Sequence, residues 1–171
     1  MPTGLKATSS LITIGFSVDE TAANTFTQGR IDLQLNPLDN EVFVVQAVNL
    51  DVSSPDAISG QNSFSNAALT TTSQTAVGSL AASSTVATVQ QRIQGAPGAV
   101  DSGVGFFQAS LETPPTGLEY IAIISTNDFF VQVLGGNNVN AKTLSGKLYG
   151  FRARASSSVY AALVQSEVLS S

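Results

Sequence analysis

The chain has 171 residues, of which 11% are charged, and a net charge of −5 at pH 7. The length suits one domain with a substantial core, whereas the charged fraction lies far below the roughly 25% of an ordinary soluble domain. The absence of Cys and His excludes thiolate and imidazole zinc sites, cysteine nucleophiles and catalytic triads that use His.

The first third of the chain predicts three strands. Residues 12–18 (ITIGFSV) alternate apolar with small or polar residues, and residues 31–35 (IDLQL) repeat the alternation before the turn NPLDN. In residues 41–52 (EVFVVQAVNLDV), one face is predicted to hold Val42, Val44, Val48, Leu50 and Val52. The first half of the opposite face is apolar too, so we expect this strand to lie partly under a second layer or a neighbouring subunit.

Residues 53–103 are rich in Ser, Thr, Ala, Gln and Gly and have weak periodicity. We expect short strands there, with room for one helix. In residues 85–95, Val86, Val89 and Ile93 fall at helical spacing before a Gly, whereas the β-branched residues of the same segment favour a strand. Both interpretations stay open. The sequence GAPGAVDSG at residues 95–103 is predicted to be a turn.

The last third begins with a predicted turn, ETPPTG at residues 112–117. The runs LEYIAIIS and DFFVQVLGG are then joined through STND, which shares its first and last residues with them, and this short link predicts a hairpin. The segment TLSGKLYGFRARA is predicted to be extended, and SVYAALVQSEVL to form a last strand or a short helix.

Together these elements predict one all-β domain over residues 1–171. Short strands separated by turns, without alternating helices, indicate an antiparallel sandwich or barrel. We therefore predict an antiparallel, jelly-roll-like β-sandwich of about eight strands with at most one or two short helices.

No constellation of residues predicts a chemistry. The acidic pairs of the chain fall at strand ends and in turns, where solvated carboxylates are common, and general acid catalysis would require an apolar cleft. The sequence NPLDNE offers oxygen ligands for calcium, but Asn and Asp are also typical turn residues. GVGFF at residues 103–107 lacks the further residues of a nucleotide-binding loop. We predict no enzymatic activity, catalytic residue, cofactor or metal site.

Two pairs of adjacent aromatic residues are candidates for contacts with a neighbouring subunit. Neighbouring side chains of a strand point to opposite faces, so Phe106-Phe107 and Phe129-Phe130 are each predicted to place one Phe in the core and one outside. We regard Phe107 and Phe130 as candidate interface residues. The alternative is that both faces are buried within the domain.

Four of the seven basic residues lie in KTLSGKLYGFRARA, residues 142–155. On an extended segment, Arg152 and Arg154 project from one face, and Lys147 projects from the other. We treat these three as candidate interface residues. The two Arg side chains are expected to pair with carboxylates such as Glu112, Glu119 or Glu167, across a sheet or a subunit boundary. The alternative partners are anionic lipid headgroups or nucleic acid.

The strand runs GRIDLQLNP, EVFVVQAVNLDV and EYIAIIS, with the low charge and uncharged polar loops, resemble the single jelly-roll capsid proteins of icosahedral viruses. The resemblance implies an eight-stranded sandwich that packs edge to edge in a virion and catalyses no reaction. Its partners would be other copies of itself and other capsid proteins. The N-terminal sequence MPTGLKATSS contains one basic residue, Lys6, instead of a long basic arm.

That departure and the acidic net charge argue against direct nucleic-acid binding. They favour a shell around an internal membrane, or a decoration (cement) protein on a shell. The other alternative is a carbohydrate-binding or adhesive β-sandwich, although the chain has no Trp and only three Tyr. We expect no small-molecule substrate. We also expect synthesis in the host cytoplasm, because we see neither a typical signal peptide nor 18 consecutive apolar residues. Location in the virion is what the resemblance to capsid proteins implies.

Overall fold

The computed structural model describes residues 2–95, 103–109 and 116–169. These residues form two antiparallel sheets and one α-helix. The strands are β1 Leu5–Ala7, β2 Ile12–Asp19, β3 Thr27–Asp32, β4 Glu41–Val52, β5 Ser63–Thr70, β6 Thr85–Gly95, β7 Gly103–Ala109, β8 Ala122–Ile124, β9 Asp128–Gly136 and β10 Thr143–Ala155. The helix, α1, is Ser157–Leu169, and Pro37–Asp39 form one 3-10 turn. Most of the predicted turn at 95–103 and most of that at 112–117 lie outside the described residues.

The strand order is that of a jelly roll. Sheet A has the order β1/β2, β10, β4, β8, and sheet B has the order β3, β9, β5, β6, β7. Both β1 and β2 pair with β10 and act as one interrupted strand. If β1 and β2 are counted as one strand and β7 is left out, eight strands remain. Numbered 1 to 8 along the chain, these strands follow the order 1-8-3-6 in sheet A and 2-7-4-5 in sheet B, as in two Greek keys. The prediction of an all-β, jelly-roll-like sandwich is confirmed.

The main core lies between the sheets and follows the period of two expected from the sequence. In β2, Phe16 is buried and the neighbouring side chains that share its face pack against the core, while the intervening residues are exposed. The rings of Phe16 and Phe129 from opposite sheets meet edge to face, with centroids 5.7 Å apart. The alternation predicted for residues 12–18 is therefore confirmed. Strand β3 ends at Asp32, earlier than expected, although Leu33 and Leu35 remain in the core.

Strand β4 contributes to two cores, and the predicted assignment of its faces is wrong. Its pairing with β10 shifts between Tyr149 and Gly150, where Ala47 and Val45 are the respective partners, so that Gln46 is an extra residue in β4. Because of this bulge, residues after Gln46 lie on the opposite face of β4 from the one that simple alternation predicts. Beyond it Val48, Leu50 and Val52 face the main core, whereas before it Val42 and Val44 face the second core. The expected second layer over this strand is present.

The second core lies on the outer face of sheet A, beneath α1. It contains buried residues of three strands and, from the helix, the half-buried Val159, Tyr160 and Leu163. The C-terminal segment, for which the sequence left strand and helix open, is thus a helix. Its apolar residues at positions i, i+1 and i+4 share the face that covers sheet A.

The strand pairing decides two further predictions, those for residues 85–95 and for a hairpin of β8 and β9. Residues 85–95 form β6 and no helix, because Ala87 and Val89 alternate into the main core between β5 and β7. The predicted hairpin of β8 and β9 is wrong, since β8 pairs with β4 in sheet A and β9 pairs with β3 and β5 in sheet B. The link between them passes from one sheet to the other. Asn127 in that link accepts hydrogen bonds from the backbone N–H groups of Leu33 and Leu35.

Candidate functional site

The first basic residue of the segment 142–155 is buried. Lys142 Nζ lies 2.8 Å from Asp56 Oδ1 and donates to the carbonyl oxygen of Ser54 at 2.9 Å, and the Lys142 side chain is 5% exposed. The second oxygen of Asp56 accepts from the backbone N–H groups of Val139 and Asn140, each at 2.8 Å. The hydrogen bond from Lys142, followed by those from the backbone, lowers the pKa of Asp56 to about 2.

A second carboxylate completes this group. Glu20 is buried and accepts from the backbone N–H groups of Gly135 (2.6 Å), Lys142 (2.7 Å) and Thr25 (3.2 Å). We call Glu20, Asp56 and Lys142 the Lys142 cluster. Its members hold together the loops β2–β3, β4–β5 and β9–β10 at one end of the sandwich. Sequence reasoning did not detect this role, because the three residues are far apart along the chain.

Arg152 and Arg154 project from the same face of β10, as predicted, and both have partners in their own chain. Arg152 donates to the carbonyl oxygens of Leu33 and Gln34, each at 2.9 Å, and lies 3.5 Å from Glu41. Arg154 lies 2.9 Å from Asp39. The expected pairing with carboxylates is present, but the carboxylates are Glu41, the first residue of β4, and Asp39, in the turn before it.

The carboxylates named as partners from the sequence have other positions. Glu167 lies in α1 and binds the link between β8 and β9, whereas Glu119 is exposed just before β8. Glu112 lies outside the described residues. The NPLDNE turn, considered as a calcium site, uses its oxygens internally: Asn36 caps the 3-10 turn, and its backbone N–H donates to Glu41. An interface role of Arg152 and Arg154 stays a prediction.

The other predicted interface residues differ in exposure. Lys147 is exposed on the outer face of sheet A. Phe130 is half-buried and its neighbour Phe129 is fully buried, so this pair divides between outside and core as predicted. For the other pair that prediction is wrong, because Phe106 and Phe107 are 51% and 63% exposed. Their strand, β7, is the last strand in the order of sheet B, and Phe107 is exposed although it pairs with Gln91, whose face is directed toward sheet A.

Helix α1 presents an uncharged surface to the solvent. Its single charged residue, Glu167, is buried, and its carboxylate accepts hydrogen bonds from Ser125 N (3.0 Å), Ser125 Oγ and Thr126 N (2.8 Å). Burial raises the pKa of Glu167, and these hydrogen bonds oppose the increase. The outward residues include Ala161, Ala162 and Leu169, the last 76% exposed. Sequence reasoning did not identify this surface, since it left the segment's structure open.

A groove of about 620 Å³ lies beside β8 on the outer face of sheet A. Tyr120, Phe151 and Leu118 form apolar walls, and Gln46 and Glu119 supply polar groups. Apolar walls with a few polar groups are typical of ligand sites. Among the described residues, no cluster of acidic side chains is suited to a metal ion, and no helix has the length and apolar character to span a bilayer.

No protein-family model matches the chain, and no curated protein matches it significantly in sequence.

Proposed function

We propose that the chain is a structural virion protein, a jelly-roll shell subunit that assembles with copies of itself. The strand order supports this proposal at the level of fold, because jelly rolls include viral capsid domains but also lectins and cupins. The function therefore depends on the surfaces of this particular chain.

The observation that carries the proposal is the outer surface of α1. A solvent-facing helix normally carries its charges outward, whereas α1 has one charged residue and buries it against Ser125 and Thr126. What remains outside is uncharged and partly apolar. Such a surface can be covered by a neighbouring subunit without the cost of desolvating ions.

Self-assembly is tested by sedimentation velocity and electron microscopy of the purified chain over a range of concentrations. We expect larger species to increase with concentration and to form regular particles or sheets. A chain that stays monomeric at high concentration, and is absent from particles sedimented from its native source, would contradict the proposal.

A pair of variants identifies the surface responsible. Leu169→Lys places a charge on the outer surface of α1 and should reduce assembly without changing the melting temperature. The control is Val139→Lys, at a residue that is 72% exposed in the β9–β10 loop, at the opposite end of the sandwich. Equal assembly by both variants would exclude α1 from the contact.

The groove beside β8 favours the alternative of a carbohydrate-binding module. Sugars stack on aromatic rings and hydrogen-bond to side-chain amides and carboxylates, and the groove offers Tyr120, Phe151, Gln46 and Glu119. A glycan array should then give hits that Tyr120→Ala removes. An array without hits would leave the shell function as the better proposal.

A further inference from the structure

Strand β7 is an edge strand whose own sequence lacks the usual protection against pairing. It pairs with β6 on one side, and within residues 2–95, 103–109 and 116–169 no strand pairs with its other side. Natural edge strands commonly carry charges, Pro or bulges that prevent further pairing. The sequence of β7, GVGFFQA, has no charge and no Pro, and Val104, Phe106 and Phe107 are 59%, 51% and 63% exposed.

One face of β7 carries an exposed aromatic ring beside an open glycine. Phe107 pairs with Gln91, and Gly105 pairs with Ile93, so both lie on the face directed toward sheet A. A side chain built on Gly105 would meet no atom within 4 Å. The glycine therefore leaves an open space next to Phe107 on the same face.

We propose, given the shell function above, that β7 of one copy pairs antiparallel with β7 of another about a twofold axis at Phe106. In this register Gly105 of each copy lies opposite Phe107 of the other, and Val104 lies opposite Gln108. Each Phe107 ring covers the space above the partner's glycine, an arrangement known to stabilise glycine in strands. The two copies of sheet B then form one continuous sheet.

Among the described residues, the charges near β7 permit this pairing. All residues of β7 are uncharged, so the two strands themselves bring no like charges together. The nearest charge in sheet B is Arg92, which lies opposite Phe106 on β6. In the paired sheet the two copies of Arg92 are three strand spacings apart, about 14 Å, which exceeds the Debye length at physiological ionic strength.

The absence of Cys makes the register directly testable by disulfide formation in the assembled protein. At the twofold axis, the thiol introduced by Phe106→Cys meets its own copy and should crosslink under mild oxidation. The matched control, Val104→Cys, lies on the same face, but its two copies are about 14 Å apart along the strands, too far for a disulfide. The double variant Val104→Cys with Gln108→Cys keeps both Phe residues and should crosslink.

The outcomes separate this inference from the proposed function. Crosslinking of Phe106→Cys and of the double variant, but not of Val104→Cys alone, supports the twofold pairing. Equal crosslinking of both single variants, or none in any variant while assembly persists, overturns it and leaves the shell function standing. An assembled protein without any crosslink would also be expected if another segment of the same chain, or a different protein, covers β7. A wild-type chain that never associates overturns both proposals.

Discussion

The Lys142 cluster differs from the surfaces of α1 and β7 in its charge and in its exposure to solvent. At the Lys142 cluster, one cation, two carboxylates and several backbone N–H groups bind one another with little exposure to solvent. On α1 and β7, by contrast, the surface is uncharged and carries exposed Leu, Val and Phe. The few charges of this chain are used largely to fasten loops and turns within the subunit, and the surfaces proposed for contacts between subunits are left neutral.

This comparison predicts that stability and association respond to different substitutions. Changes in the internal polar contacts should lower stability, because they leave buried donors or acceptors without partners. Changes on the neutral surfaces should alter association at nearly constant stability. The following variants test that separation, in order of the expected effect on stability.

The largest effect is expected for Glu20→Ala. It leaves three backbone N–H groups without an acceptor, which should cost about 3 kcal/mol and lower the melting temperature by about 6 to 12 °C. The control is Asp19→Ala, since the neighbouring carboxylate is exposed and should matter by less than about 0.5 kcal/mol. Similar melting temperatures for the two variants would contradict an internal role of the cluster.

Arg152 and Arg154 should differ although they share a face of β10. Arg152→Ala removes two hydrogen bonds to backbone carbonyls and should cost about 2 kcal/mol in urea unfolding. Arg154→Ala removes an ion pair whose side chains are 58% and 51% exposed, and should cost less than about 1 kcal/mol. If Arg154→Ala keeps the stability of the wild type but lowers the assembled fraction in sedimentation, the predicted interface role of Arg154 is supported.

Glu167 should make the attachment of α1 sensitive to pH. Because burial raises its folded-state pKa above the ordinary value of 4.5, its contribution to stability is complete below that value and is lost as the pH rises through the folded-state pKa. The midpoint of urea unfolding should therefore fall with rising pH for the wild type relative to Glu167→Gln. Parallel curves between about pH 4 and pH 7 would show that the residue titrates as in the unfolded chain.

The smallest effect on stability is expected for Phe107→Lys. The side chain is 63% exposed, so the melting temperature should change little, whereas sedimentation should show weaker association because two lysines would approach across the paired strands. Val139→Lys again serves as the control. A clear loss of stability would indicate that Phe107 is buried within its own subunit.

The sequence predicted the fold where local alternation and tertiary burial agree. In β2, alternating Ile, Phe and Val correctly predicted the inward face. In β4 the same reasoning was wrong beyond Gln46, because one extra residue exchanges the faces and a bulge leaves no signature in an uninterrupted apolar run. The separation of β8 from β9 was missed for a related reason, since the three linking residues 125–127 suit a hairpin as well as a crossing between sheets.

The candidate site was predicted less well than the fold. That Arg152 and Arg154 share a face follows from strand periodicity, but their partners Glu41 and Asp39 lie more than 100 residues away along the chain. The burial of Lys142 could not be predicted either, because it depends on Asp56 and Glu20 being brought to the same end by three separate loops. Local patterns specify the direction of a side chain, and topology specifies what it meets.

The position of β10 in sheet A has a consequence for synthesis on the ribosome. This strand lies between β1/β2 and β4, yet it is the last of the described strands along the chain. Until it emerges, no strand joins β2 to β4, and the edge that each of them presents to β10 is open to other nascent chains. Sheet A contains the first strands of the chain but cannot be completed until β10 is synthesised, many seconds later. During that time, correct folding requires that the open edges of β2 and β4 be shielded or that the nascent chains be too dilute to pair with one another.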